Sequence, residues 1–313
     1  MSSAKTLRLL SLVIMASGAL ISCRPKPIVT PDPVPLTLSA QVMSLDYEDN
    51  SLWGKKAELG VFVTESGTSK LVGENGNVRH YADFKTGIIP LTPSDKPVIL
   101  PEDNMDIDIA AYYPYTSELS SSGESEFVYQ VDLQDQNALD PEVLLVARIE
   151  KRNSVLHTAM LTMKPAFAKL KVNLRNQTDV KSSESETEVC LEGIPCEAGI
   201  DILNGRYVSY GSETTTTLAR PIDTAHSYEA VVLAHTVSDN ARLLVSISES
   251  GSRPEEKISL LLKDVIKEFK TNTQYDVTVT VSPEGVDATL VGMSDFFVSD
   301  WKEDFEDVNG EID

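Results

Sequence analysis

Short segments in which apolar and polar residues alternate recur along most of this chain, and they constrain its fold more than any other feature. Leu36–Val42 alternates, Leu59–Val63 is a brief apolar run, and Ile107–Tyr113 alternates until Pro114 stops it. The pattern returns at Phe127–Leu133, Ala168–Leu174, Tyr228–Leu233, Arg242–Ser248, Gln274–Val281 and Asp287–Val291. Alternation over about four to eight residues, bounded by Gly, Pro, Asn and Ser, is the signature of half-buried antiparallel strands. Many such strands at modest spacing predict an all-β chain built from β-sandwiches, each sheet packed on one face and wet on the other. Little helix is expected. Glu256–Phe269 spaces Ile258, Leu261, Leu262, Val265, Ile266 and Phe269 by threes and fours, which suits a short amphipathic helix or the arm of a hairpin. Val143–Ile149 reads as a helical turn or a strand. The polar stretch 176–187 is an interdomain link or a long hairpin tip, and Ser117–Glu126 reads as a loop.

The length of 313 residues suggests two domains at about 150 residues each. With 27 basic and 48 acidic residues the net charge is −21, so a nucleic-acid polyanion would be repelled and no basic stripe offsets this. The four histidines, His80, His157, His226 and His235, are dispersed, so neither a metal site nor any cofactor is expected. The chain has no Gly-x-Ser-x-Gly elbow, no His-Glu-x-x-His and no phosphate-cradling glycine loop. Two of its many carboxylates could meet as a glycosidase pair, but no spacing singles out a pair, and no enzyme activity is expected.

The first residues carry an address. Lys5 and Arg8 precede an uncharged apolar stretch, 9–20, and then Ile21-Ser22-Cys23. About 12 residues of helix span roughly 18 Å, short of a hydrocarbon core of about 30 Å, so residues 1–22 read as an export signal. Leu20-Ile21-Ser22-Cys23 resembles the bacterial lipobox, which makes Cys23 the lipidated first residue of the mature protein; the other reading is an ordinary signal peptide with an incidental cysteine. Residues 23–35 hold five prolines after Cys23, an extended tether that reaches about 35 Å at roughly 3.1 Å per residue.

Cys190 and Cys196 are separated by Leu-Glu-Gly-Ile-Pro. In an exported protein a disulfide between them is allowed; the alternative is two small apolar side chains. The acidic end, Asp300–Asp313, holds seven carboxylates and one lysine and reads as a solvated tail. Around Asp307-Val308-Asn309-Gly310 it lacks the ligand spacing of a calcium loop.

Several segments, taken in order, carry a family likeness. They are Leu52-Trp53-Gly54-Lys55-Lys56-Ala57-Glu58-Leu59-Gly60-Val61-Phe62-Val63, Ala110-Ala111-Tyr112-Tyr113-Pro114-Tyr115, Asp140–Leu144, Met163–Val172, Asn272–Val279 and Val298-Ser299-Asp300-Trp301-Lys302. With the lipobox and the proline tether, this set resembles the fimbrillin family of Bacteroidales surface lipoproteins, from about residue 36 to the C-terminus. The resemblance implies two tandem transthyretin-like Greek-key β-sandwich domains, 36–175 and 176–313. It implies a lipid-anchored component of fimbriae, or an adhesin, at the outer membrane and cell surface. In that family a protease removes the first strand and a strand from another subunit fills the groove left behind. Here the first strand would be Leu36–Val42, the donor would lie near Ser294–Val308, and the partners would be other fimbrial subunits. The family's protease is arginine-specific, whereas the loop Ser44–Lys56 has no arginine, which makes Lys55 and Lys56 the candidate processing residues for a trypsin-like enzyme. Left uncut, the chain would keep its lipid and stand at a fimbrial base or alone. The alternative role is a monomeric surface lipoprotein that binds a host protein or glycan.

Overall fold

The computed structural model describes residues 34–42, 57–82, 88–122, 125–136, 144–176, 185–213, 216–218, 220–221, 227–249, 256–282 and 285–295. Apart from one helical turn, the regular elements among them are strands. The first nine are β1 (Thr37–Val42), β2 (Ala57–Glu65), β3 (Val78–Ala82), β4 (Ile89–Pro93), β5 (Asp106–Tyr113), β6 (Ser120–Ser122), β7 (Ser125–Asp132), β8 (Leu145–Asn153) and β9 (Thr158–Pro165). Then come β10 (Ala168–Asn176), β11 (Ser185–Glu192), β12 (Glu197–Asp201), β13 (Arg206–Tyr210), β14 (Thr216–Leu218), β15 (Arg220–Pro221), β16 (Ser227–Val232) and β17 (His235–Thr236). The last are β18 (Arg242–Glu249), β19 (Glu256–Leu261), the turn α1 (Leu262–Val265), β20 (Glu268–Phe269), β21 (Thr273–Ser282) and β22 (Gly285–Asp295).

Three bodies of packing organise these strands. The first is a closed barrel in the order β1-β4-β3-β2-β5-β8-β9, with β9 returning to β1. The β1–β9 pair is parallel and the other neighbours in the ring are antiparallel. Inside it lie Leu38, Leu59, Val61, Val63, Ile107, Ile109, Leu161 and Met163. The second body is a sandwich: the sheet β15-β16-β10-β21-β22 faces the sheet β14-β11-β18-β19. Leu170, Val172, Val277 and Val279 from one sheet meet Val189, Leu191, Leu243 and Val245 from the other.

The third body explains why some strands read as unbroken apolar runs. The sheet β13-β12-β7-β6 lies over the outside of the barrel, and Ile200 and Ile202 share a core with Phe62, Ala110 and Tyr112 from the outer faces of β2 and β5. Both faces of Leu59–Val63 and of Ile107–Tyr113 are therefore buried, so a strict apolar–polar alternation is not required of them. Tyr112 lies across Gly60, where an added Cβ would sit 2.1 Å from Cε1 of the ring, so this strand position takes no larger residue without displacement. The phenol donates to the Thr116 carbonyl at 2.8 Å, and burial pushes its pKa up to about 12.

One expectation changes in detail. The polar island at Ser117–Glu126 contributes strands rather than a plain loop: β6 pairs with β7, and Ser120 Oγ donates to the Val128 carbonyl at 3.1 Å. The segment can be a strand although it is polar because β7 has ladder partners on both sides, β6 and β12. Of the alternatives at Glu256–Phe269, the hairpin arm is observed over Glu256–Leu261, where β19 pairs antiparallel with β18; the single turn α1 and then β20 follow, and Ile258, Leu262, Ile266 and Phe269 of this stretch are buried in the second core. Of the alternatives at Val143–Ile149, the strand is observed, as the start of β8.

Candidate strand-exchange seam

β1 is short, yet it closes the barrel. Leu36, Leu38 and Ala40 point inward at 6%, 1% and 0% exposure, and Val42 packs at the rim of the same core. Burying a leucine fully is worth about 1.5–3 kcal/mol, so these side chains alone hold the strand substantially. One ladder runs parallel to β9 over six pairs, from Thr37↔Thr158 to Val42↔Met163. The other runs antiparallel to β4 over Leu38↔Leu91, Ser39↔Pro90 and Ala40↔Ile89, and Pro90 has no N–H to donate. Two backbone bonds fix the strand's start, Leu36 N to the Val98 carbonyl at 2.9 Å and Thr37 N to the His157 carbonyl at 2.8 Å. Gln41 Nε2 donates to Thr162 Oγ1 at 3.1 Å on the outer face. Without β1, β4 and β9 would each present a bare edge on either side of an apolar slot.

Beside this seam lies a groove of about 390 Å³ on the outer face of β8 and β9. Its walls include Arg148, Met160, Thr162 and Lys164, together with Thr271 and Asn272 from the turn before β21. Arg148 is held from behind by the buried Asp108, 3.2 Å from Nη2, while Nη1 lies 3.3 Å from the exposed Glu150. Asp108 also accepts from the Gly67 and Lys151 amides at 3.0 and 2.9 Å. Burial pushes the Asp108 carboxyl up, but these amides, the Ser66 hydroxyl and Arg148 together hold it below the usual carboxylate range.

The residues singled out in the sequence are distributed unevenly around this geometry. Cys23, Lys55, Lys56 and Trp301 lie outside the described residues; Lys56 immediately precedes Ala57, the first residue of β2. Cys196 is buried in the second core with its Sγ 3.9 Å from the Ile194 carbonyl. Cys190 is half-buried on β11, between the core residues Val189 and Leu191. No local sequence pattern marks Arg148 and Lys164, because the groove joins segments far apart in the chain. Among the described residues no group of His, Cys, Asp and Glu converges as a metal site, and no helix is long and apolar enough to cross a membrane.

Solved structures share this architecture. A candidate cell adhesion protein from Bacteroides uniformis aligns with a TM-score of 0.65 at 18% identity, covering 84% of this chain and 98% of the other. A candidate cell adhesion protein from Bacteroides ovatus aligns with a TM-score of 0.62 at 12% identity, covering 85% and 98%. A fimbrial assembly protein from Parabacteroides distasonis aligns with a TM-score of 0.50 at 9% identity, covering 82% and 94%. No curated protein matches the chain. The fimbrillin-like family matches residues 46–301, a span that starts just after β1 and takes in the rest of the barrel, the covering sheet and the sandwich; this chain belongs to the fimbrillin-like family.

Proposed function

We propose that the chain is a lipid-anchored, non-enzymatic surface component of fimbriae that assembles by exchange of its first strand. The observation that carries this reading is the closure of the barrel by β1 alone between β4 and β9. A strand in that position can be replaced by another extended segment without altering the remaining ring. Backbone ladders then supply affinity, and the pockets that hold Leu36, Leu38 and Ala40 supply specificity. Cleavage after Lys55 or Lys56 would release β1 together with the lipid on Cys23, and residues near Ser294–Val308 of another copy would take its place. The barrel with its covering sheet and the sandwich would correspond to two tandem transthyretin-like domains. A fimbrial or adhesion role is supported by family membership and by the likeness to a fimbrial assembly protein.

The test is limited digestion of the purified mature chain with a trypsin-like protease, followed by size-exclusion chromatography and mass spectrometry. Loss of Leu36–Lys56 accompanied by oligomers supports the reading. A chain that loses the segment and stays monomeric favours a monomeric surface protein that binds a host protein or glycan.

A further inference from the structure

We infer that the groove beside β9 receives the acidic–aromatic run Asp304-Phe305-Glu306-Asp307 of a second copy of this chain, latching a strand donated into the seam. The inference rests on the strand-exchange reading and adds to it the place where the donor is recognised after it leaves the barrel.

Direction comes first. β1 runs parallel to β9 with Val42 opposite Met163, so the next position in this register is Lys164. Any segment that takes the place of β1 in the same direction emerges beside Lys164, at the groove. The bond from Gln41 to Thr162 shows the strand already touching the groove wall.

The chemistry of the groove is unusual for this chain. The net charge is −21, yet the groove is lined by Arg148 and Lys164 and by no carboxylate. Lys164 is exposed and makes no ion pair among the described residues. Arg148 is oriented by buried Asp108, while its other partner, Glu150, is 62% exposed and so holds it weakly. A guanidinium fixed from behind, with a displaceable outer partner, is prepared for an incoming carboxylate. Met160, 46% exposed, offers a thioether to an aromatic ring. Carboxylates flanking one aromatic ring answer both features.

The sequence holds such a run twice. Asp46-Tyr47-Glu48-Asp49 follows β1, and Asp304-Phe305-Glu306-Asp307 lies near the C-terminus. With these two runs aligned, the inward residues Leu38 and Ala40 correspond to Phe296 and Val298, while Leu36 at the strand's start and Val42 at the rim correspond to Ser294 and Asp300, so the apolar match covers the middle of the slot. A donor that places Phe296 and Val298 into the slot therefore carries its acidic run to the exit that β1 uses.

The experiment mixes isotopically labelled and unlabelled full-length mature chains, digests them at the Lys55-Lys56 loop and follows assembly by light scattering. The assembled material is then cross-linked with a carbodiimide, which joins a lysine amine to a carboxylate as an amide. Links between copies from Lys164 to Asp304, Glu306 or Asp307 are expected. Lys164→Glu should slow assembly about tenfold at low salt and flatten its salt dependence. A tail variant with Asp304→Asn, Glu306→Gln and Asp307→Asn, which leaves the barrel untouched, should do the same. Lys164→Glu chains should recover when mixed with chains carrying Asp304→Lys and Asp307→Lys. If cleaved wild-type chains assemble and both variants keep pace, the latch is wrong and strand exchange stands. If cleaved wild-type chains do not assemble at all, strand exchange fails and the latch falls with it.

Discussion

Lys169 and Glu229 form an ion pair at 2.8 Å with 2% and 1% of their side chains exposed. They sit on β10 and β16 beside Val231, on the face that belongs to the third core, while their neighbours Leu170 and Ala230 belong to the second. Desolvating two charges costs several kcal/mol per ion, and their mutual attraction is a large part of what offsets it. Lys169→Met should therefore lose about 3–5 kcal/mol by stranding Glu229, whereas Lys169→Met with Glu229→Leu should recover much of that loss. Urea denaturation of wild type, Lys169→Met, Glu229→Leu and the double variant measures the coupling. A double variant as unstable as the single one would show that the pair does more than neutralise itself. His80 is a different case. Burial lowers its pKa, opposed by its ring Nδ1–H donating to the Val78 carbonyl at 3.0 Å, so the folded chain keeps it neutral. The unfolded chain takes up the proton first, near pH 6.5. This contribution is present in full above about pH 6.5 and is lost as pH falls toward the lowered folded value. His235, lowered chiefly by burial, acts in the same direction. Stability measured from pH 7.5 to 5.5 should fall, and fall less steeply in His80→Gln; equal slopes would remove His80 from the account.

At the level of elements, β1 separates what local sequence reveals from what it hides. Its alternation from Leu36 to Val42 is plain in the sequence, and its inward residues are the ones that alternation selects. Its parallel partner β9 lies more than a hundred residues away, and periodicity carries no information about partners, so barrel closure was not legible. β4 leaves no clear local signal because Pro90 interrupts a short strand, and β3 leaves none because Arg79 and His80 interrupt its apolar pattern although His80 is buried. The groove was illegible for the same reason as the closure: Lys164 and Asn272 meet only through tertiary contact. The expectations at Cys23 and at the lysine pair rest on contiguous signals instead, and both lie outside the described residues. The inward and outward faces of β1 give opposite expectations. Leu38→Ala should cost about 2–5 kcal/mol and speed proteolysis of the native barrel, while Ser39→Ala, on the outer face, should stay within about 0.5 kcal/mol of wild type. Limited proteolysis and denaturation on the same samples check both, and equal sensitivity at the two positions would deny β1 its closing role.

Across the whole molecule, the described residues from Val34 onward form one compact unit even though the barrel and the sandwich each have a core of their own. The third core explains the unity. Phe62, fully buried on the outside of the barrel, meets Phe127 of the covering sheet at a ring separation of 4.8 Å. Beyond the end of β7, Gln136 pairs with the β16 backbone, its Oε1 accepting from Val231 N at 2.8 Å and its Nε2 donating to the Val231 carbonyl at 3.1 Å. Barrel, covering sheet and sandwich are thereby joined through buried contacts, and a seam of this kind transmits loss of structure from one body to the next. Scanning calorimetry of the wild-type chain should show one transition whose van't Hoff and calorimetric enthalpies agree. Phe62→Ala should cost about 3–5 kcal/mol, and it should act on the coupling as well as on the total, splitting the single transition into two as barrel and sandwich unfold separately. A wild-type chain that already melts in two resolved steps would show that the third core covers the barrel without binding the two bodies together. A Phe62→Ala chain that keeps one sharp, shifted transition would place the coupling at the Gln136–Val231 contact instead, where Gln136→Ala would then produce the split.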